Sequence, residues 1–313
     1  MGTYVIVGAG AIGSVVAQRL ADVGHDVRLL SRRGAGPAHG SIERISADAG
    51  DGETLARHAR GADAIFNCAN PLYHRWPRDW PPIADSILHA AETSGAGLVT
   101  LSNLYAYGRP TGPMTPHDPF NADYEKALVR ARMWHDALAA NDEGLIRATE
   151  VRASDYVGPG AQSALGDRVV PRILAGKSCS VLGDVDAPHS WTYTVDVART
   201  LIACALSDQA WGRAWHVPTN AARSSRQVAD DMADAAGVAH VKVTSIPVVA
   251  LRLVGLFNPV VRELPTTLYQ FTAPFVIDDS ETRSAFGLAP TPWHDVLAAT
   301  VDAARAASDR RRS

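Results

Sequence analysis

The stretch that decides the fold is YVIVGAGAIGS, residues 4–14, near the start of the 313-residue chain. Its first four residues are an apolar, β-branched run, which is typical of a buried strand. Behind the glycines, apolar residues recur at three- and four-residue steps as far as Leu20 and Val23, which predicts one buried face of a helix. Gly24 is placed to end that helix. Strand, glycine turn and helix in this order form the repeating unit of a parallel sheet.

The same alternation continues along the first half of the chain. Predicted strands cover residues 4–7, 27–30, 42–46, 64–67, 98–101 and 145–151, and predicted helices cover residues 12–23, 52–60, 83–94 and 124–140. Strands alternating with helices favour an α/β fold with a doubly wound parallel sheet, that is, a Rossmann domain. We assign it to residues 1–153.

Residues 154–313 differ from the first half in composition and in the pattern of predicted elements. Residues 154–190 are rich in Gly, Pro and Ser, as expected for loops over a ligand. A helix over 195–206 and a strand over 214–217 are predicted to rejoin the Rossmann sheet. An amphipathic helix is predicted over 224–236, and the remaining residues are expected to form a smaller, substrate-side lobe.

Composition places the chain among ordinary globular proteins. Apolar residues make up 46% and charged residues 20%, with a net charge of −3, so neither a nucleic-acid nor a membrane partner is expected. The three cysteines are far apart, and the histidines show no metal-ligand spacing, so reduced thiols and no metal are predicted. A strand beginning near Thr3 leaves no room for a signal peptide, and the apolar stretch 248–261 is too short and interrupted to span a bilayer. We therefore expect a cytoplasmic protein.

The glycine spacing carries the strongest chemical signal. Gly8 permits the tight turn after the strand, Gly10 lets a pyrophosphate approach the backbone, and Gly13 lets helix and strand pack closely. The helix start, with Ala11 and Ile12, presents unpaired N–H groups and a partial positive charge to the phosphates. Because the glycines follow a strand and open an amphipathic helix, they predict a dinucleotide site.

The residues after the second strand indicate which dinucleotide binds. A carboxylate usually occupies this position in enzymes that select NAD, whereas this chain has Ser31, Arg32 and Arg33. Guanidinium groups attract a 2′-phosphate, so NADP(H) is favoured over NAD(H). Asp48 is expected to accept a hydrogen bond from the adenine. Residues at the ends of the third and fourth strands are expected to line the cofactor channel: Asp48, Ala49, Asn67 and Ala69.

Several later segments carry a family resemblance. They are SNLYAYG at 102–108, RASDYVGPG at 152–160, YTVDVA at 193–198 and GRAWHVP at 212–218. In this order and spacing the chain resembles an extended, or atypical, short-chain dehydrogenase/reductase, the group that contains nucleotide-sugar epimerases and dehydratases. The resemblance implies cofactor contacts from Ser102, Ala153 and Ser154, and substrate contacts from Tyr156, His189 and Trp191.

The chain departs from that family at its catalytic positions. The family uses a Ser/Thr and a Tyr-x-x-x-Lys motif, and the corresponding positions here are Asn103, Lys126 and Arg130. Arg130 is suited to bind ribose hydroxyls but not to exchange a proton. Lys126, near that arginine, is predicted to act as the acid that protonates the carbonyl oxygen during reduction. Asn103 is expected to donate a hydrogen bond to the same oxygen. Tyr105 and Tyr124 remain alternative proton donors.

These residues predict an NADP(H)-dependent oxidoreductase that reduces a carbonyl or imine of a small molecule. One alternative is a non-catalytic NADP(H)-binding sensor, because the usual triad is missing. Another is an epimerase or dehydratase with internal redox. The N-terminus is also similar to ketopantoate-reductase-like enzymes, but their all-helical second domain disagrees with strands that continue to residue 151. Whether the chain forms a homodimer is left open.

Overall fold

The computed structural model describes residues 1–161, 163 and 165–310. The strands are β1 (Thr3–Val7), β2 (Asp26–Ser31), β3 (Ile42–Ser46), β4 (Ala64–Asn67), β5 (Gly97–Ser102), β6 (Ala148–Arg152), β7 (Asp155–Val157), β8 (Cys179–Val181), β9 (Trp191–Tyr193), β10 (Arg213–His216) and β11 (Val243–Ser245). The helices are α1 (Ala11–Asp22), α2 (Gly52–Ala59), α3 (Trp76–Ser94), α4 (Glu125–Asp142), α5 (Gly166–Leu174), α6 (Thr194–Ala205), α7 (Ser225–Ala236), α8 (Val248–Gly255), α9 (Pro259–Thr267), α10 (Ser280–Phe286) and α11 (Trp293–Arg310).

Within the described residues, the main sheet has seven strands in the order β10-β6-β5-β4-β1-β2-β3, all paired in parallel. This confirms the predicted doubly wound α/β fold. The strand order reverses between β1 and β4, which is where such sheets open a crevice at their carboxyl ends. The topology alone therefore directs a ligand toward the glycines after β1.

The central strand β1 divides its side chains between two cores. On β1, Tyr4 and Ile6 pack into the layer formed with α1 and α6, whereas Val5 and Val7 pack into the layer formed with α2 and α3. This is the two-residue period of a strand that is buried on both faces. The continuous apolar run at the start of the chain is thus explained by helices on both sides of the sheet.

The seventh strand of this sheet comes from the second half of the chain. β10 pairs with β6 as far as His216 opposite Arg152, and a buried polar network ties the pair together. Arg152 donates from Nε to Glu150 (2.6 Å) and from Nη1 to the Tyr107 hydroxyl (2.6 Å). That hydroxyl lies 2.9 Å from Nε2 of His216, and burial lowers the pKa of His216 to about 4, so its ring is neutral.

The remaining elements build the smaller lobe. Helices α5, α7 and α11 enclose an apolar core with the short parallel pair of β8 and β11, and β7 and β9 form a second short pair. Helices α8 and α9 pack against each other as a hairpin. No helix in the described part of the chain combines the length and hydropathy required to cross a bilayer. The boundary at residue 153 stays a prediction.

One helix begins well before its predicted start. The prediction placed it at Ile83, but α3 begins at Trp76 and runs through Pro81 and Pro82. Prolines inside a helix remove backbone hydrogen bonds, and for that reason the sequence disfavoured helix there. Trp76 and Trp80, four residues apart on one face, are both buried. Their packing offsets the lost bonds, so tertiary contacts override the local signal.

Candidate cofactor and active site

The turn after β1 has the geometry that its glycines predict. Gly8 has a φ of 111°, and a Cβ there would lie 2.5 Å from the carbonyl oxygen of Cys68. A Cβ at Gly13 would lie 1.9 Å from the carbonyl oxygen of Gly8. At Gly10, by contrast, nothing lies within 4 Å of such an atom. Close backbone contacts therefore exclude a side chain at Gly8 and Gly13, whereas Gly10 borders open space. That space lies beside the unpaired N–H groups that begin α1.

A cavity of about 250 Å³ extends from this loop along the carboxyl ends of the strands. Its lining includes the following residues that the sequence singles out: Gly10, Ala11, Ile12, Ala69, Ser102, Asn103, Tyr105, Arg130, Ala153, Ser154 and Tyr156. The cavity thus joins the phosphate loop, the ends of β5 and β6, and the face of α4. An open backbone loop at one end, with aromatic and polar side chains at the other, fits a nicotinamide dinucleotide.

The adenine end of the candidate site lies at the protein surface. Ser31 ends β2, and its hydroxyl accepts from the Ala35 N–H (2.9 Å) and is turned into its own loop. The side chains of Arg32 and Arg33 are exposed. Asp48 accepts from the Gly50 N–H at 3.0 Å. The two arginines therefore lie just after the carboxyl end of β2, as expected, whereas the Ser31 hydroxyl stabilises the turn itself.

Asn67 and Ala49, two other predicted channel residues, lie behind the cavity wall. Asn67 is buried at the end of β4, and its Oδ1 accepts from the Ala69 N–H at 3.3 Å. Ala49 packs against the core under α2 and α3. Of this group, Ala69 reaches the cavity directly, and Asn67 positions its backbone.

Arg130 occupies the inner end of the cavity in an aromatic setting. Its guanidinium carbon lies 4.5 Å from the ring centroid of Trp76 and 4.4 Å from that of Trp80. Nη1 donates to the Leu101 carbonyl at 3.3 Å, while the buried Nε has no partner among the described residues. Burial lowers the pKa of Arg130 to about 10, so the group stays cationic near neutral pH. The cation contacts two indoles whose planes stand at 81° to each other, and it still has donor capacity.

Lys126, the predicted acid, is engaged elsewhere. Its ammonium forms an ion pair with the carboxylate of Glu263 on α9 and lies 4.6 Å from the ring centroid of Tyr73. It is buried and is not part of the cavity lining. A buried ammonium requires a counter-charge, and Glu263 supplies one from a distant segment. This geometry does not favour Lys126 as the group that touches substrate.

Two tyrosines stand in the cavity wall. The hydroxyls of Tyr105 and Tyr73 lie 3.5 Å apart, and both residues line the cavity. Burial raises the pKa of both, which keeps them protonated near neutral pH. Tyr124 is outside the lining, and its hydroxyl lies 3.3 Å from that of Tyr269. Asn103 accepts from the Tyr105 N–H through Oδ1 (3.1 Å), which leaves its NH₂ group to donate.

Of the three predicted substrate contacts, one lines the cavity and two lie outside its lining. Tyr156 lines the cavity, but His189 and Trp191 do not. His189 is buried against Phe271, with Nε2 3.0 Å from the Asp155 carboxylate, because an imidazole in an apolar core needs polar partners. Trp191 packs in the core of the lobe and donates to a backbone carbonyl. Both residues support the wall from behind.

The sequence reasoning missed four residues of this site. Three of them, Tyr73, Trp76 and Trp80, lie between the fourth predicted strand and the helix predicted from Ile83, where no element is predicted. The fourth, Glu263, lies in the predicted substrate lobe. The i, i+4 spacing of the two tryptophans was an available signal, although the prolines between and after them pointed away from a helix. No local pattern marks Tyr73 or Glu263, since each meets α4 only in the folded chain.

Comparisons with solved structures give the same architecture. The UDP-glucose 4-epimerase of Thermotoga maritima, solved with UDP-glucose, is 17% identical with a TM-score of 0.78, and 98% of this chain and 99% of that chain are covered. DesIV of Streptomyces venezuelae, a dTDP-glucose 4,6-dehydratase solved with NAD, is 20% identical with a TM-score of 0.78 and 98% coverage of both chains. WbmH of Bordetella bronchiseptica, solved with NAD+, is 17% identical with a TM-score of 0.74 and coverages of 97% and 98%.

At these identities the likeness shows the fold. A search of curated protein sequences finds no match. The family model that matches, described as NAD dependent epimerase/dehydratase family, spans residues 4–217. That span contains the glycine loop, the cavity lining from β4 to β6 and the whole of the main sheet from Tyr4 to His216, and it confirms the resemblance found in the sequence. The chain belongs to the NAD dependent epimerase/dehydratase family.

Proposed function

We propose that this protein is an NADP(H)-dependent oxidoreductase that reduces a carbonyl or imine group of a small molecule. One observation carries the proposal: a single cavity connects the glycine loop to Tyr73 and Tyr105, whose hydroxyls lie 3.5 Å apart. A dinucleotide bound along the loop would supply the hydride. The protein must then supply a proton and a place for the reacting oxygen or nitrogen.

Tyr73 is the proposed proton donor. Its phenol is protonated at neutral pH, and Tyr105 lies at hydrogen-bond distance to hold its hydroxyl in the cavity. The Lys126 ammonium over the ring favours the phenolate that remains after transfer, and the Glu263 carboxylate, whose charge raises the pKa of Tyr73, opposes this effect. Lys126 thus acts through the tyrosine, and Glu263 fixes the lysine. In this arrangement a tyrosine from the turn after β4 replaces the one that the family carries on α4.

The other polar groups of the cavity have holding roles. The NH₂ group of Asn103 donates to the substrate oxygen, since its Oδ1 is already bound to the Tyr105 N–H. Arg130 donates to the ribose hydroxyls of the cofactor through the guanidinium N–H groups that the Leu101 carbonyl does not use. Arg32 and Arg33 take the 2′-phosphate, which is the basis for proposing NADP(H).

The character of the cavity supports a small, largely apolar substrate. Its inner part is aromatic, with Tyr73, Trp76, Tyr105, Tyr156 and Phe275 in the wall. Among the cavity residues that the structure describes, Arg130 is the one cation. A substrate with a diphosphate group would need more cations than that. The proposal therefore favours reduction of a ketone, aldehyde or imine over epimerisation of a nucleotide sugar.

The test is consumption of NADPH by the purified chain with a panel of apolar ketones, aldehydes and cyclic imines. For a substrate that is reduced, Tyr73→Phe should lower kcat about 100-fold to 10,000-fold, because it removes the acid, and should leave NADPH affinity unchanged. Tyr124→Phe is the matched control and should keep wild-type turnover, since its hydroxyl lies outside the cavity lining. The opposite pattern, with Tyr124 essential and Tyr73 dispensable, would refute the assignment.

A second candidate is a sensor that binds NADP(H) without turnover. The observation that favours it is the ion pair between Lys126 and Glu263, which removes the predicted acid from the cavity. Tight NADPH binding with no consumption across the panel would support this candidate. Conversion of UDP-glucose or dTDP-glucose without net NADPH consumption would instead indicate internal redox, the third alternative.

A further inference from the structure

The hairpin of α8 and α9 carries a dense apolar surface. Its exposed large apolar side chains, with the exposed fraction of each residue, are Val248 (39%), Val249 (66%), Leu253 (60%), Val254 (53%), Leu256 (65%), Phe257 (90%) and Val260 (39%). Elsewhere in the described chain, exposed large apolar residues are scattered singly. A contiguous apolar surface marks an interaction site. We call residues 248–262 the apolar hairpin.

The charge of this hairpin is of one sign. Arg252 and Arg262 are exposed on it, and the segment 248–262 contains no Asp or Glu. The next acidic residue, Glu263, is committed to Lys126. Arg262 also donates from Nε to the Gly255 carbonyl (3.1 Å), which caps α8 and holds the turn at Leu256–Asn258 in place. A structured apolar tip is therefore flanked by two positive charges.

We propose that the apolar hairpin docks this protein on an anionic lipid surface. Phe257 and Leu256 at the tip enter the boundary between head groups and acyl chains, while Arg252 and Arg262 contact the anionic head groups. The net charge of −3 averages over the whole chain and does not report this local sign. The hairpin helices are far too short to span a bilayer, and this mode of binding does not require them to.

A second copy of the chain fits this surface less well. A two-fold interface brings the same residues of both copies together. Pairing the apolar hairpin with itself would collect four guanidinium groups with no carboxylate of the hairpin to balance them. The tip also projects outward, since Phe257 is 90% exposed, whereas self-pairing favours a flat face. Charge complementarity thus selects an anionic surface.

The base of the hairpin is fixed to the rest of the molecule. Glu263 follows it directly and pairs with buried Lys126, and α9 leads into the 3₁₀ turn Leu268–Phe271, whose Gln270 lines the cavity. The apolar surface is therefore presented on a held element and not on a loose tail. Docking through it sets the orientation of the whole molecule on the lipid surface.

Sedimentation of the full chain with vesicles tests the proposal. We expect binding to phosphatidylcholine vesicles that contain phosphatidylserine, weaker binding to phosphatidylcholine alone, and a loss of binding as salt is raised. Leu256→Ser combined with Phe257→Ser should lower the partition coefficient at least about tenfold. Arg252→Gln should lower it about fivefold on the anionic vesicles.

Leu206→Ser is the matched control, because this leucine at the end of α6 is exposed to a similar extent (55%) outside the hairpin. It should bind vesicles like the wild type. Unchanged thermal unfolding of each variant verifies that the fold is kept. Absence of binding to the anionic vesicles, or equal loss in the Leu206 control, would overturn the proposal. So would a dimer in light scattering that the Leu256/Phe257 variant dissociates while vesicles bind neither form.

Discussion

The glycine loop and the aromatic end of the cavity are built in opposite ways. The loop is one continuous segment, and its geometry depends on backbone atoms and on side chains that are missing at Gly8, Gly10 and Gly13. The aromatic end brings together Tyr73, the two tryptophans of α3, and Arg130, with Lys126 and Glu263 behind them. The first can therefore be predicted from a short motif, whereas the second exists only after distant segments meet. The glycine loop follows the family's motif, whereas Asn103, Lys126 and Arg130 depart from it.

The largest expected effect comes from filling the loop. Gly13→Val should lower NADPH affinity by at least about 100-fold, because its Cβ would meet the Gly8 carbonyl oxygen at 1.9 Å and displace the turn. Titration calorimetry measures the affinity. Gly40→Ala is the control, since nothing lies within 4 Å of a Cβ there. Wild-type affinity in Gly13→Val would show that the loop does not hold the cofactor.

A smaller effect is expected at the adenine end. Arg32→Glu should weaken NADPH binding about 30-fold and change NADH binding little, because a carboxylate repels the 2′-phosphate that only NADPH carries. Arg57→Glu, on α2, tests whether surface charge alone matters. Comparable losses for both cofactors in Arg32→Glu would contradict the proposed phosphate contact. They would also remove the basis for preferring NADP(H) to NAD(H).

The smallest effect concerns the aromatic end. Arg130→Lys restores the family residue, yet we expect it to lower the free energy of unfolding by about 1 kcal/mol, because an ammonium lacks the planar guanidinium that contacts both indoles. Urea unfolding measures this change. Arg132→Lys, on the same helix but exposed, should be neutral. A more stable Arg130→Lys variant would mean that the tryptophans do not select the guanidinium.

The sequence predicted the fold well because its evidence is periodic and local. The run from Tyr4 to Val7 is buried on both faces, as a continuous apolar strand requires, and the glycines after it specify one turn. The start of α3 was wrong because Pro81 and Pro82 are unfavourable in a helix when considered alone. The burial of Trp76 and Trp80 against Arg130 reverses that preference, and no window of sequence contains this contact.

For the candidate site, the sequence predicts which residues lie near the cavity better than it predicts the chemical role of each. It placed Asn103, Arg130 and Tyr156 at the strand ends and on α4, where the cavity lies. It assigned proton transfer to Lys126, because spacing reveals which residues share a helix face but not which partner neutralises a buried charge. Glu263 lies on α9, far along the chain, and only the fold brings it to the lysine.

The position of β10 has a consequence for how the chain is made. β6 leaves the ribosome before residues 153–212, and its outer edge stays unpaired until β10 has followed. An uncovered strand edge is a template for pairing with another nascent chain. Synthesis of the N-terminal half alone therefore gives an open-edged sheet. We expect a fragment ending at residue 153 to aggregate, and early chaperone contact to be most valuable during this interval of translation.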